Sequence, residues 1–91
     1  VPFNIASYSF LTHLIAFHTG LKAHELILYG GNCHIYEPHI ETIKQQFNRV
    51  PHPFPTLTIK DKKENIDDYT IDDFVVNDYL FHPPIKMDMV A

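Results

Sequence analysis

From Pro2 to Gly20 the chain spells a helix that is apolar around most of its circumference, which limits what the other residues can build. Pro2 suits a first helical turn, where its missing N–H would go unpaired in any case. On a helical wheel Phe3, Phe10, Leu14 and Phe17 form one stripe, and Tyr8, Leu11 and Ile15 form the next. Only a narrow arc of Ser9, Thr12 and His13 is polar. Thr19-Gly20 supplies the stop, because glycine tolerates the left-handed conformation that follows a helix. A helix of this kind belongs in the middle of a domain. A chain of 91 residues suits one compact domain, yet buries a modest fraction of its surface. The pattern therefore predicts a buried central helix whose cover comes partly from outside these residues.

The remaining segments alternate in type. Glu25–Tyr36 reads as a strand with a break or bulge at Gly30-Gly31. Pro38 opens a shorter helix with Ile40, Ile43 and Phe47 on one face. The run Val50-Pro51-His52-Pro53-Phe54-Pro55 excludes helix and predicts an extended connector. Thr56–Lys60 is β-branched enough for a strand, and Asp61–Asn65 is a charged turn. Thr70-Ile71-Asp72-Asp73 reads as a short capped turn before a strand through Val75 and Val76, and Pro83-Pro84 leads into an extended tail. No internal repeat, low-complexity stretch or domain boundary stands out, and the class is α+β.

Composition removes several functions. With seven Phe and five Tyr, disorder is excluded. There is no run of 18 apolar residues, so no membrane-spanning helix is expected, and Ile5–Phe17 lacks the flanks of a signal peptide. Cys33 is the single cysteine, which rules out an internal disulfide and suits a reducing compartment. A net charge of −4 argues against a general nucleic-acid surface. Six Lys accompany one Arg, Arg49. Phosphate dianions are best held by several bidentate guanidinium groups, so any phosphate site must be completed from elsewhere. The seven histidines lack metal-site spacing: His13 and His18 do not share a helix face, and His24-Glu25 lacks the second His of a zincin motif. No metal is expected.

Three places carry candidate chemistry. A carboxamide at Asn4 can accept from the N3–H of uracil and donate to its O4, whereas cytosine reverses both roles. The competing reading is an asparagine that caps its own helix. His34 and Tyr36 fall on one face of a strand together with Asn32, while Cys33 and Ile35 fall on the other. Imidazole and phenol can between them satisfy a sugar hydroxyl; the alternative is a merely solvated strand face. Because Cys33 and His34 face opposite sides, the imidazole cannot activate the thiol, and Cys33 reads as a small buried hydrophobe. Finally, an extended end with Met89, Val90 and Ala91 could fold over a ligand and exclude water, or could simply fray.

Pro2-Phe3-Asn4-Ile5-Ala6-Ser7-Tyr8, Gly30-Gly31-Asn32-Cys33-His34-Ile35-Tyr36 and Pro84-Ile85-Lys86-Met87-Asp88-Met89-Val90-Ala91 occur in the order of three blocks of the thymidylate synthases, and the chain resembles about the last third of that family's length. The resemblance implies reductive methylation of dUMP to dTMP with 5,10-methylenetetrahydrofolate as carbon donor and reductant. It implies that Asn4 contacts the dUMP base and that His34 and Tyr36 bind its 3′-hydroxyl. Phe3, Met89, Val90 and Ala91 would contact folate, the last of these through a terminal carboxylate that stabilises the closed form. Asn32 and Cys33 depart from the family's commoner Asp and Ala, and Val90 stands where many members have Ala. The resemblance also implies a nucleophilic cysteine upstream of Val1, and a cytoplasmic homodimer whose phosphate-binding arginines come from upstream segments and from the partner subunit. Residues 1–91 would then be a C-terminal segment of one synthase domain, part of the same fold with its buried helix, bulged sheet and closing tail.

Two other readings remain open at this level. One is a deoxypyrimidine hydroxymethylase on the same scaffold, whose cytosine-directed members carry Asp at the position of Asn4. The other is an inactive truncated copy that acts only as a binding or dimerisation module. Fusion to a dihydrofolate reductase, known in some eukaryotic relatives, is also open.

Overall fold

The computed structural model describes residues 1–90, so Ala91 lies outside the described residues. Helix α1 runs Pro2–Thr19 with proline in its first turn. Gly20 ends it at φ 76°, and the following backbone N–H groups reach back to the Ala16 and Phe17 carbonyls. A β-carbon would be strained at that φ, so glycine is the residue that lets the chain leave the helix. A 3₁₀ turn at Glu37–His39 leads into helix α2, Ile40–Phe47. Strands β1, Thr56–Ile59, and β2, Phe74–Asn77, form a two-stranded antiparallel sheet. Its register runs from Thr56 opposite Asn77 to Ile59 opposite Phe74. Asn77 Nδ2 fastens the open end by donating to Thr58 Oγ1 at 2.7 Å.

The chain divides into two units, Val1–Leu28 with Pro55–Tyr79 and Tyr29–Phe54 with the tail from Leu80. In the first, Leu57 and Ile59 alternate with exposed threonines along β1, and α1 packs on this strand. An aromatic cluster ties the helix to β2. Phe10 and Phe74 have ring centroids 4.7 Å apart, and Tyr69 lies 6.1 Å from Phe74 and 6.5 Å from Phe17. The Tyr69 hydroxyl accepts from the Lys63 backbone N–H at 3.2 Å and sits 3.0 Å from His18 Nδ1, which can take its proton.

Residues 65–74 hold a feature of which the sequence reading caught only the second half, the capped turn at Thr70 to Asp73. Asn65-Ile66-Asp67-Asp68-Tyr69 and Thr70-Ile71-Asp72-Asp73-Phe74 are tandem copies of one local solution. Each folds as a 3₁₀ turn closed by a reciprocal cap, in which the fourth residue's carboxylate accepts the first residue's N–H. The recurring Ile-Asp-Asp-aromatic pattern was the available signal. In the second copy the Asp73 carboxyl is held below the usual carboxylate range, chiefly by the Thr70 backbone N–H at 2.7 Å. Burial opposes this, and the Lys63 ammonium 3.4 Å away adds to it.

Four expectations need correction. The helix expected to be buried is covered here along one side only: Ala16 is its one buried residue among the described residues, while Phe3, Tyr8, Leu11 and Ile15 are exposed. The strand expected over Glu25–Tyr36 is extended but unpaired, with a bend at Gly31-Asn32, because no strand among the described residues lies beside it to complete its hydrogen bonds. The expected bulge is accordingly absent, since the sheet that does form has an unbroken register. Cys33 is exposed rather than buried, for the same lack of a sheet behind it.

Candidate functional site

Asn4 sits in the first turn of α1, two residues after the proline that starts the helix. The self-capping alternative fails: the N-terminus of α1 has no side-chain cap, and the Asn4 carboxamide makes no hydrogen bond among the described residues. It is exposed, so both its oxygen and its nitrogen are free to read a ligand edge. Phe3 beside it is 80% exposed, which excludes a core role in this chain and leaves one ring face open for stacking.

In the second unit, His34 and Tyr36 do lie on one side of the extended segment, with ring centroids 6.1 Å apart and planes tilted by 60°. Both are exposed. Cys33 packs its sulfur against Gly30, where a β-carbon would overlap it. The close approach fixes the turn into His34, and a side chain at Gly30 would disturb it. After Tyr36 the chain turns tightly. Pro38 restricts the backbone, the His39 N–H donates to the Tyr36 carbonyl at 2.9 Å, and the His39 ring meets the Tyr36 ring edge-on at 5.9 Å.

The tail is anchored rather than frayed along its first half. Arg49 Nη2 donates to the Pro83 carbonyl at 2.8 Å, and its Nη1 to Gln46 Oε1 at 3.1 Å. The single arginine thus holds the backbone at the root of the tail. His82 Nε2 donates to the Val50 carbonyl at 2.9 Å, and the His82 ring stacks on His52 at 4.4 Å. His39 Nε2 donates to the Asp88 carbonyl at 2.5 Å. A carbonyl only accepts, so both imidazoles carry their proton on Nε2. Met89 is 99% exposed, Val90 is half-buried, and the role expected for Ala91 lies outside the described residues. Sequence reading missed His39, Arg49 and His82, because contacts across 32 to 49 residues leave no local spacing to find.

Phe3 and Asn4 belong to the first unit; His34, Tyr36, Met89 and Val90 belong to the second. An apolar cleft of about 570 Å³ between α1 and the hairpin, lined by Phe10, His13, Leu57, Val76 and Tyr79 among others, includes none of these six. Its walls offer little to orient a polar ligand, and it marks apolar surface left uncovered in this chain. Among the described residues no group of three or more His, Cys, Asp or Glu could hold a metal ion. None of their helices is long and apolar enough to cross a membrane.

Fold and side chains define an α+β chain whose open recognition groups are amide, imidazole, phenol and apolar surface. The thymidylate synthase family profile matches residues 1–91. Over all 91 residues the chain is 53% identical to the bifunctional dihydrofolate reductase-thymidylate synthase of Leishmania amazonensis, covering 18% of that protein. It is likewise 53% identical to the bifunctional protein of Plasmodium berghei, covering 16%, and to the thymidylate synthase of Homo sapiens, covering 29%. The chain belongs to the thymidylate synthase family. It spans less than a third of the length of these relatives.

Proposed function

We propose that this chain is the C-terminal segment of a thymidylate synthase that methylates dUMP to dTMP, and that it supplies base, ribose and folate contacts to that reaction. The observation that carries the reading is a family match that leaves no residue out, with about half of all positions identical to the human enzyme. The exposed, unpartnered Asn4 and the paired His34 and Tyr36 supply groups of the right chemistry.

Asn4 accepts from uracil N3–H and donates to O4; cytosine would face it with donor against donor. A mismatched polar pair costs on the order of 1–3 kcal/mol once buried by substrate. His34 and Tyr36 hold the 3′-hydroxyl. Phe3 and Met89 offer exposed apolar surface to an aromatic ring, which fits a folate. When bound, 5,10-methylenetetrahydrofolate supplies the one-carbon unit and the reducing equivalent. The tail through Val90 and Ala91 then shuts out water.

The nucleophilic cysteine and the phosphate-binding arginines come from the preceding part of the chain and from the partner subunit of a cytoplasmic homodimer. The same protein provides the missing cover for α1 and the missing neighbours for Glu25–Tyr36. Cys33 is no candidate nucleophile in this reading, since its sulfur packs on Gly30 and the family's nucleophile belongs to an upstream block.

The test is Asn4→Asp in the full-length enzyme. An aspartate can accept from the cytosine N4 amino group and, when protonated, donate to N3. Turnover of dUMP should fall and handling of dCMP should improve. Equal change in both kinetic constants would remove Asn4 as the base reader.

A further inference from the structure

His39 sits where the ribose pair and the tail meet within the second unit. Its backbone N–H is bonded to the Tyr36 carbonyl, its ring edge contacts the Tyr36 ring at 5.9 Å, and Tyr36 in turn faces His34 at 6.1 Å. Its Nε2–H holds the carbonyl of Asp88, the residue directly before Met89. The other two anchors, Arg49 and His82, grip the tail at its root, at Pro83 and at His82 itself. Beyond Pro83, the bond from His39 holds the tail close to its tip.

Pro38 and the 3₁₀ turn deny Tyr36 and His39 independent movement, because the intervening backbone has one fixed φ and a closed hydrogen bond. A shift of the phenol toward a sugar hydroxyl therefore moves the imidazole that holds the tail tip. We propose that His39 is a positioning residue that couples occupancy of the His34–Tyr36 site to placement of the closing tail. This rests on the reading of His34 and Tyr36 as ribose contacts. The coupling is reciprocal: a held tail fixes Tyr36 in its ribose-binding position, and a bound ribose fixes the tail. His39 touches neither substrate. It acts through Tyr36 on one side and the Asp88 carbonyl on the other.

The experiment follows amide hydrogen exchange over residues 86–90 in the full-length protein, with and without dUMP, alongside steady-state kinetics. In the unsubstituted protein dUMP should slow exchange in this stretch. His39→Ala should speed resting exchange, abolish the response to dUMP and raise the folate KM by about two- to twelve-fold, the net worth of one hydrogen bond. His39→Gln places an amide N–H near the position of Nε2 but removes the ring edge against Tyr36. It should restore resting protection of the tail without restoring the response to dUMP, a separation that a purely structural histidine would not give. A normal response to dUMP in His39→Ala, or its full return in His39→Gln, overturns the coupling. Tyr36→Phe distinguishes the two levels of the argument. If it leaves the dUMP KM unchanged, the ribose reading fails and the coupling falls with it. If it raises that KM while both His39 variants respond to dUMP normally, the coupling alone is wrong.

Discussion

Tyr69→Phe deletes one oxygen and keeps the ring among Phe17, His18 and Phe74. That oxygen takes part in two hydrogen bonds, from the Lys63 backbone N–H at 3.2 Å and to His18 Nδ1 at 3.0 Å. Each is worth roughly 0.5–1.5 kcal/mol net, so their joint loss costs about 1–3 kcal/mol. Lys63 is only partly buried, and water can replace its lost acceptor, which places the expectation near the lower end, about 1–2 kcal/mol. Urea unfolding of the full-length protein measures the loss. Exchange at the Lys63 amide should quicken by about two- to twelve-fold, since that N–H loses its acceptor. In a double-mutant cycle with His18→Ala, the coupling should be about 0.5–1.5 kcal/mol, the share of the one bond the two side chains make together. Unchanged Lys63 exchange, together with additivity within about 0.3 kcal/mol, would refute the assignment of Tyr69 as the lock between α1 and the 63–69 segment.

Gly30→Ala drives a methyl group into Cys33 Sγ and should raise the dUMP KM by displacing His34; adding Cys33→Ala removes the sulfur and should restore it, whereas a double variant no better than the single one argues against this packing. Asp73 has its carboxyl held low in the folded chain, so it contributes stability above the ordinary carboxylate range that is lost as pH falls through the lowered value. Asp73→Asn should therefore flatten the acid limb of a plot of urea midpoint against pH, and an unaltered limb would count against the Thr70 cap as its cause. Deleting Val90 and Ala91 should remove most turnover while leaving dUMP binding nearly intact, and amidating the terminal carboxylate should reproduce part of the defect. A kcat within about two-fold of the intact enzyme would make the end an ordinary frayed terminus. The 91 residues expressed alone should release no tritium from dUMP labelled at C5, because Cys33 is not a competent nucleophile.

What the sequence determined by itself was everything governed by neighbours along the chain. Proline and glycine set both ends of α1, a run of prolines set the connector, β-branched residues marked β1, and Thr70 with Asp73 announced a capped turn. Asn4, His34 and Tyr36 stood out as candidates because short blocks carry them, and the alternation rule put the last two on one side, where their rings lie 6.1 Å apart. Tertiary structure decided what needs a distant partner. Glu25–Tyr36 has strand composition, yet a strand exists only when another strand accepts its hydrogen bonds, and none among the described residues does so. The apolar wheel of α1 called for cover on all sides, but composition could not say which side β1, Phe74 and Tyr69 would cover. Arg49, His39 and His82 make contacts that have no local signature in the sequence. Only the folded chain brings each to a carbonyl 32 to 49 residues away, because such a bond depends on where two backbones pass rather than on either local sequence.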